Sequence, residues 1–122
     1  MLVTILILLL FAVLWRPLVR YLVPRFYLVV GDSMRPALSE GDVVMGFRPH
    51  PSKPLKDGGI YGYRLPLDER KWVIKRLMYQ VGGKCFFQGD NPGSSIDSRE
   101  YGMVDRRNVM FEVVWHKNMQ GG

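Results

Sequence analysis

The 122-residue chain has a single cysteine, Cys85, so no internal disulfide can form and the fold does not depend on the redox compartment. Cys85 sits in Lys84-Cys85-Phe86-Phe87, where a thiol beside aromatics reads as a small buried hydrophobe rather than a nucleophile. Histidine is scarce too. His50 and His116 lie far apart, give no metal-ligand spacing, and neither falls in a segment shaped like a Ser–His–Asp site. There is no run of five or six like charges, no zinc-finger spacing, no basic helix with heptads and no helix-turn-helix pattern. Nucleic acid is therefore not an expected partner, despite a net charge of +6. Internal repeats and low-complexity tracts are missing as well. Hydrophobic residues make up 48% and charged residues 23%, which is a globular and not a disordered balance.

What is present begins with a long apolar segment. Leu2 to Trp15 is apolar except for Thr4. As a helix, these residues rise about 21 Å, and extension to Val23 supplies the length to cross the roughly 30 Å hydrocarbon core. Arg16 and Arg20 would then snorkel to the headgroups, with Trp15 and Tyr21 as interfacial anchors and Pro17 marking a kink or an end. The run has no basic segment before it and no small-x-small site after it, so it reads as a retained anchor rather than a cleaved signal. Residues 1–23 are thus expected to be a single membrane anchor and 24–122 the working domain. Arg16, Arg20 and Arg25 all follow the apolar run. Charge bias alone would hold that working domain in the cytoplasm.

After Pro24 the pattern becomes short apolar runs divided by Gly, Pro, Asn and Asp. Strands are expected over 26–30, 43–47, 60–65, 72–79, 84–88 and 109–116. The expected fold is mainly β, a small barrel or packed-sheet core behind one N-terminal membrane helix. Residues 48–57 contain three prolines and read as an exposed loop.

Three segments could carry chemistry. In Trp72-Val73-Ile74-Lys75-Arg76-Leu77, alternation puts Val73, Lys75 and Leu77 on one face. If that face is inward, desolvation disfavours the ammonium and makes Lys75 a usable base; if outward, Lys75 is an ordinary solvated lysine. Ser33 follows a strand through Gly31, whose freedom allows a sharp bend. It is either a turn serine bonded to its own backbone or a nucleophile awaiting a base, with its N–H free to meet an oxyanion. The segment from Gly89 to Gly102 is dense in polar residues, and an Asp97–Arg99 pair would stiffen it.

Taken together, these segments resemble the type I signal peptidase family of Ser/Lys endopeptidases. Ser33-Met34-x-Pro36-x-Leu38-x-x-Gly41-Asp42 is similar to its nucleophile box and Lys75-Arg76 to its lysine box. Gly89-Asp90-Asn91 with Ser95-x-Asp97-Ser98-Arg99-x-x-Gly102 is similar to its third box. The resemblance covers about residues 26–115. It implies that Ser33 attacks the scissile carbonyl and contributes its backbone N–H to an oxyanion hole whose second donor is unassigned. Lys75 would be the base, Ser95 would aim the Lys75 amine, and Asp97 and Arg99 would hold the loop carrying Ser95. No metal or cofactor is implied. Partners would be the bilayer and proteins with N-terminal leaders, cut after small residues at the outer membrane surface. Gly31, Ala37, Gly58-Gly59 and Gly82-Gly83 depart from the common family pattern and suggest a divergent branch. The nickel-type superoxide dismutase maturation proteases are similar as well, and their cytoplasmic site would agree with the charge bias. Other classes of reading are a self-cleaving regulator and an inactive membrane-anchored binding module.

Overall fold

The computed structural model describes residues 1–119. Helix α1 runs Leu2–Leu22, about 31 Å at 1.5 Å per residue. None of its residues is buried against the rest of the chain. It is long and apolar enough to cross a membrane. Pro17 lies inside α1 and does not end it. Arg16 and Arg20 occupy its last two turns.

Beyond α1 the period changes from 3.6 to 2, and the chain folds as one sheet. Its strands are β1 (Arg25–Leu28), β2 (Val43–Phe47), β3 (Ile60–Arg64), β4 (Trp72–Val81), β5 (Lys84–Gln88), β6 (Val104–Asp105) and β7 (Val109–Lys117). A short helix α2, Ser98–Tyr101, precedes β6. The spatial order is β1-β2-β7-β3-β4-β5-β6, and every pairing is antiparallel. The protein is thus mainly β, a sheet curled into a half-barrel, with one apolar N-terminal helix. Register slips at Met45/Gly46, Gly62/Tyr63 and Leu77/Tyr79 add the local twist that such curling needs.

Two apolar clusters form on the sheet. Leu55, Tyr61, Tyr63, Leu77, Cys85, Phe87, Val104 and Val109 make one. Val29, Met34, Leu38, Val44 and Phe111 make the other. Alternation along β3 sends Tyr61 and Tyr63 to the first and Ile60 to the second. Phe111 fills the space that side chains at Gly46 and Gly62 would take. A Cβ at either glycine would collide with its ring. That ring stacks on Tyr27 of β1 at 3.9 Å and meets Trp72 of β4 edge-on at 5.7 Å. These three rings tie the edge strand β1 to the start of β4 across the curl.

The loop 48–57 is exposed as its prolines suggest, with one correction. Leu55 is buried in the first cluster. The Lys56 N–H donates to the Tyr61 hydroxyl at 2.8 Å, and the Gln80 amide donates to the Leu55 carbonyl at 2.6 Å.

Candidate active site

The Ser33 segment is built by its neighbours more than by itself. Gly31 takes φ 85°, the left-handed region that glycine enters without a Cβ penalty, and turns the chain away from β1. The turn closes where the Val29 N–H donates to the Asp42 carbonyl at 2.8 Å and the Gly41 N–H donates to Val29 at 2.9 Å. Asp42 also accepts the Ser39 N–H at 2.9 Å through its carboxylate. Met34 and Leu38 are buried and pin the turn from below. Ser33 itself is half-buried. Among the described residues its backbone N–H has no acceptor, which is the state an oxyanion donor must be in before substrate arrives.

Lys75 lies in β4 on the face it shares with Val73 and Leu77. That face points inward: Leu77 is fully buried and Lys75 is only 5% exposed. Among the described residues no hydrogen bond or ion pair reaches its amine. Its pKa is pushed below the ordinary lysine value, chiefly by burial. Asp97 nearby works against this and Arg99 adds to it. Neighbouring Arg76 points the other way and forks onto Asp90, at 2.8 and 2.7 Å, so the two adjacent cations have separate fates.

Ser33 and Lys75 line the same cleft, of about 290 Å³, with walls of Leu28, Val30, Met34, Trp72 and Ile74. Pairing between β4 and β5 begins only at Arg76↔Gln88. The stretch from Trp72 to Lys75 therefore has one unpaired backbone edge toward this cleft. The outer edge of β1 is likewise unpaired.

The third segment fastens the Ser33 turn and passes opposite Lys75. The Asn91 N–H donates to the Ser33 carbonyl at 2.9 Å, and the Asn91 side-chain amide donates to the Asp32 carbonyl at 3.1 Å. Gly89 lies one place beyond the last β4–β5 pair, opposite Lys75. A Cβ there would stand 2.6 Å from the Ser33 carbonyl and 2.6 Å from the Ser95 Cβ. Only glycine lets the Ser33 turn and the Ser95 loop meet here.

Asp97 is fully buried and accepts from every side. Ser95 Oγ donates at 2.6 Å, the Gly89 N–H at 2.9 Å, and the Arg99 guanidinium at 2.9 and 2.8 Å. Burial pushes its carboxyl upward, but these bonds outweigh burial and hold it well below the usual carboxylate range. Asp97 also caps α2 in a reciprocal box with Glu100. The expected Asp97–Arg99 pair is therefore present and fixes the loop under Ser95. Ser95 is buried, but its hydroxyl proton goes to Asp97. No hydrogen bond joins it to Lys75 among the described residues, so the aiming role that the resemblance implies for Ser95 is not made by a direct bond here. Gly31 supplies no hydroxyl for a second oxyanion donor.

Cys85 is 1% exposed, and burial pushes its thiol upward, as suits a packing residue. His50 meets Ser52 at 2.7 Å on the exposed loop, away from the cleft.

No family model and no curated protein matches the chain. What the site does has to be read from its own chemistry.

Proposed function

We propose that the chain is a membrane-anchored serine endopeptidase that uses Ser33 as nucleophile and Lys75 as general base, and that it removes N-terminal leader peptides. One observation carries this reading. Ser33 and Lys75 share one apolar-walled cleft, and among the described residues the Ser33 N–H has no acceptor and the buried Lys75 amine has no ion pair.

An extended peptide in that cleft can pair with the free backbone edges of β4 and β1, and the apolar walls favour small or aliphatic side chains near the cut. Lys75, resting as the neutral amine, takes the Ser33 proton as Oγ attacks the scissile carbonyl. The oxyanion gathers at the Ser33 N–H. The new ammonium then gives its proton to the leaving amine, and an ester to Ser33 remains. Water attacks that ester with its proton passing to Lys75, and collapse releases the acid and returns a proton to Ser33. Asp97 would favour the ammonium by its charge. The Arg99 fork offsets that charge, so Lys75 sits beside a balanced pair rather than a bare carboxylate. With its own proton on Asp97, Ser95 Oγ offers Lys75 only lone pairs, leaving the amine nitrogen's lone pair for Ser33.

The anchor supports a leader as substrate. Val23 and Ser33 are ten positions apart, a reach of at most about 35 Å, so the cleft stays near the bilayer where leaders emerge. The test is cleavage of a leader peptide ending in small residues by the full chain in detergent. Ser33→Ala and Lys75→Ala should each abolish cleavage while the thermal melt persists. Activity retained in either purified variant would remove the assigned roles.

A second reading has its own observation. Arg16, Arg20 and Arg25 at the body end of the anchor favour a cytoplasmic body, where a specialised maturation protease such as the nickel-type superoxide dismutase enzymes would work. A reporter fused to the C-terminus separates the two. External signal supports leader removal at the outer surface, and cytoplasmic signal supports the specialised protease.

A further inference from the structure

A second pocket, of about 100 Å³, opens where α1 meets the sheet. Four arginines line it: Arg20 from the last turn of α1, Arg25 at the start of β1, Arg48 just past β2 and Arg64 at the end of β3. Three separate passes of the chain bring these arginines together, and a fourth, β7 with Met110 and Phe111, closes the pocket without one. Among the described residues none of the four has a carboxylate partner. Among the described residues their guanidinium groups make no hydrogen bond, and Arg20 alone lies over a ring, that of Tyr21. Elsewhere Arg76, Arg99 and Arg107 each fork onto or pair with an aspartate. The absence of an acid here is thus local and not a general shortage. Like charges gathered around one hollow repel, and an anion in the hollow turns that cost into attraction.

The shape of the donor and the place of the pocket identify the anion. Guanidinium groups match phosphate oxygens in a bidentate manner. The pocket lies at the end of a helix long and apolar enough to cross a membrane, where lipid headgroups stand. We propose that this pocket holds the phosphate of an anionic lipid headgroup and so fixes how the β body sits on the membrane. Tyr27 and Phe111, which stack on one another, also line the pocket. Trp72 meets both of those rings and lines the cleft of Ser33 and Lys75. A bound headgroup therefore rests on the aromatic layer that forms one wall of the cleft. The site does not depend on the protease reading, and its test uses no peptide.

The experiment is native mass spectrometry of the full chain in neutral detergent, titrated with phosphatidylglycerol, phosphatidylcholine or inorganic phosphate. Phosphatidylglycerol should bind at least tenfold more tightly than phosphatidylcholine. The double substitution Arg48→Gln/Arg64→Gln should weaken it about 30-fold, from the attraction each arginine contributes near an anionic surface. Both residues are exposed, and a thermal melt checks the fold. Arg48→Lys/Arg64→Lys keeps the charge but loses the fork and should fall between. Equal binding of the two lipids, or undiminished phosphatidylglycerol binding in the Gln pair, would overturn the proposal. Inorganic phosphate binding as tightly as the lipid would assign the pocket to soluble phosphate and overturn the lipid assignment.

Discussion

Asn91 holds the Asp32–Ser33 turn by two hydrogen bonds. Its backbone N–H donates to the Ser33 carbonyl at 2.9 Å, and its side chain donates to the Asp32 carbonyl at 3.1 Å. A loop nearly 60 positions downstream thus sets the pose of Ser33. Asn91→Ala keeps the backbone bond and loses the side-chain one, worth about 1 kcal/mol. The expected result is a kcat lowered about three- to tenfold with KM little changed, read by steady-state cleavage. An unchanged kcat would mean that the clamp does not position Ser33.

A Cβ on Gly89 would collide with both the Ser33 carbonyl and Ser95. Gly89→Ala forces one of them away. Overpacking of this kind costs about 1–3 kcal/mol, and a displacement of about 1 Å at a reacting group can cost on the order of 100-fold in rate. The thermal melt should drop by several degrees. Cleavage should be nearly lost even at temperatures where the variant remains folded. A variant with full activity would show that the two segments need not touch.

Arg99 tunes Lys75 through Asp97. Its positive charge adds to the lowering of the Lys75 pKa, so Arg99→Gln removes a force against the ammonium and leaves Asp97 less balanced. The Lys75 pKa should rise. The proposed mechanism requires the neutral amine, so the ascending limb of the pH–rate profile should move to higher pH and activity should recover at alkaline pH. Loss of activity equal at every pH would assign Arg99 to folding alone.

Lys75 is held against its preferred charge state, and stability should record it. The folded pKa is lowered from 10.5, so below the folded pKa the fold carries the full cost of the buried ammonium. That cost shrinks as pH rises from the folded pKa toward 10.5 and vanishes above it. Lys75→Met should therefore melt higher than the parent at neutral pH, with the gap closing near pH 10.5. A gap that widened with pH would have the wrong sign.

Strand positions were legible because alternation and glycine turns are local signals. β2 and β5 begin and end where the apolar runs do, and α1 follows from length and apolarity. β1 is shorter than its apolar run because the ladder stops at Leu28, while Val29 turns to bond Asp42 and Gly41. Helix α2 carried a readable signal, the Asp97-x-x-Glu100 spacing of a capping box. The polarity of the segment masked it. The Arg76–Asp90 fork, the Asn91 clamp and the crowding at Gly89 depend on register across β4 and β5. No property of one segment reveals them. The face of Lys75 was legible as a choice of two, and the burial of Leu77 beside it decided which.

The ε-amine of Lys75 can be titrated directly by NMR of the full chain in micelles with lysine labelled at Cε. The chain has six lysines, and comparison with Lys75→Arg identifies the signal. The resonance missing from that variant should titrate well below the ordinary lysine value of 10.5. If Lys75 instead titrates at the ordinary lysine value of 10.5, its amine is protonated at neutral pH and Ser33 has no base.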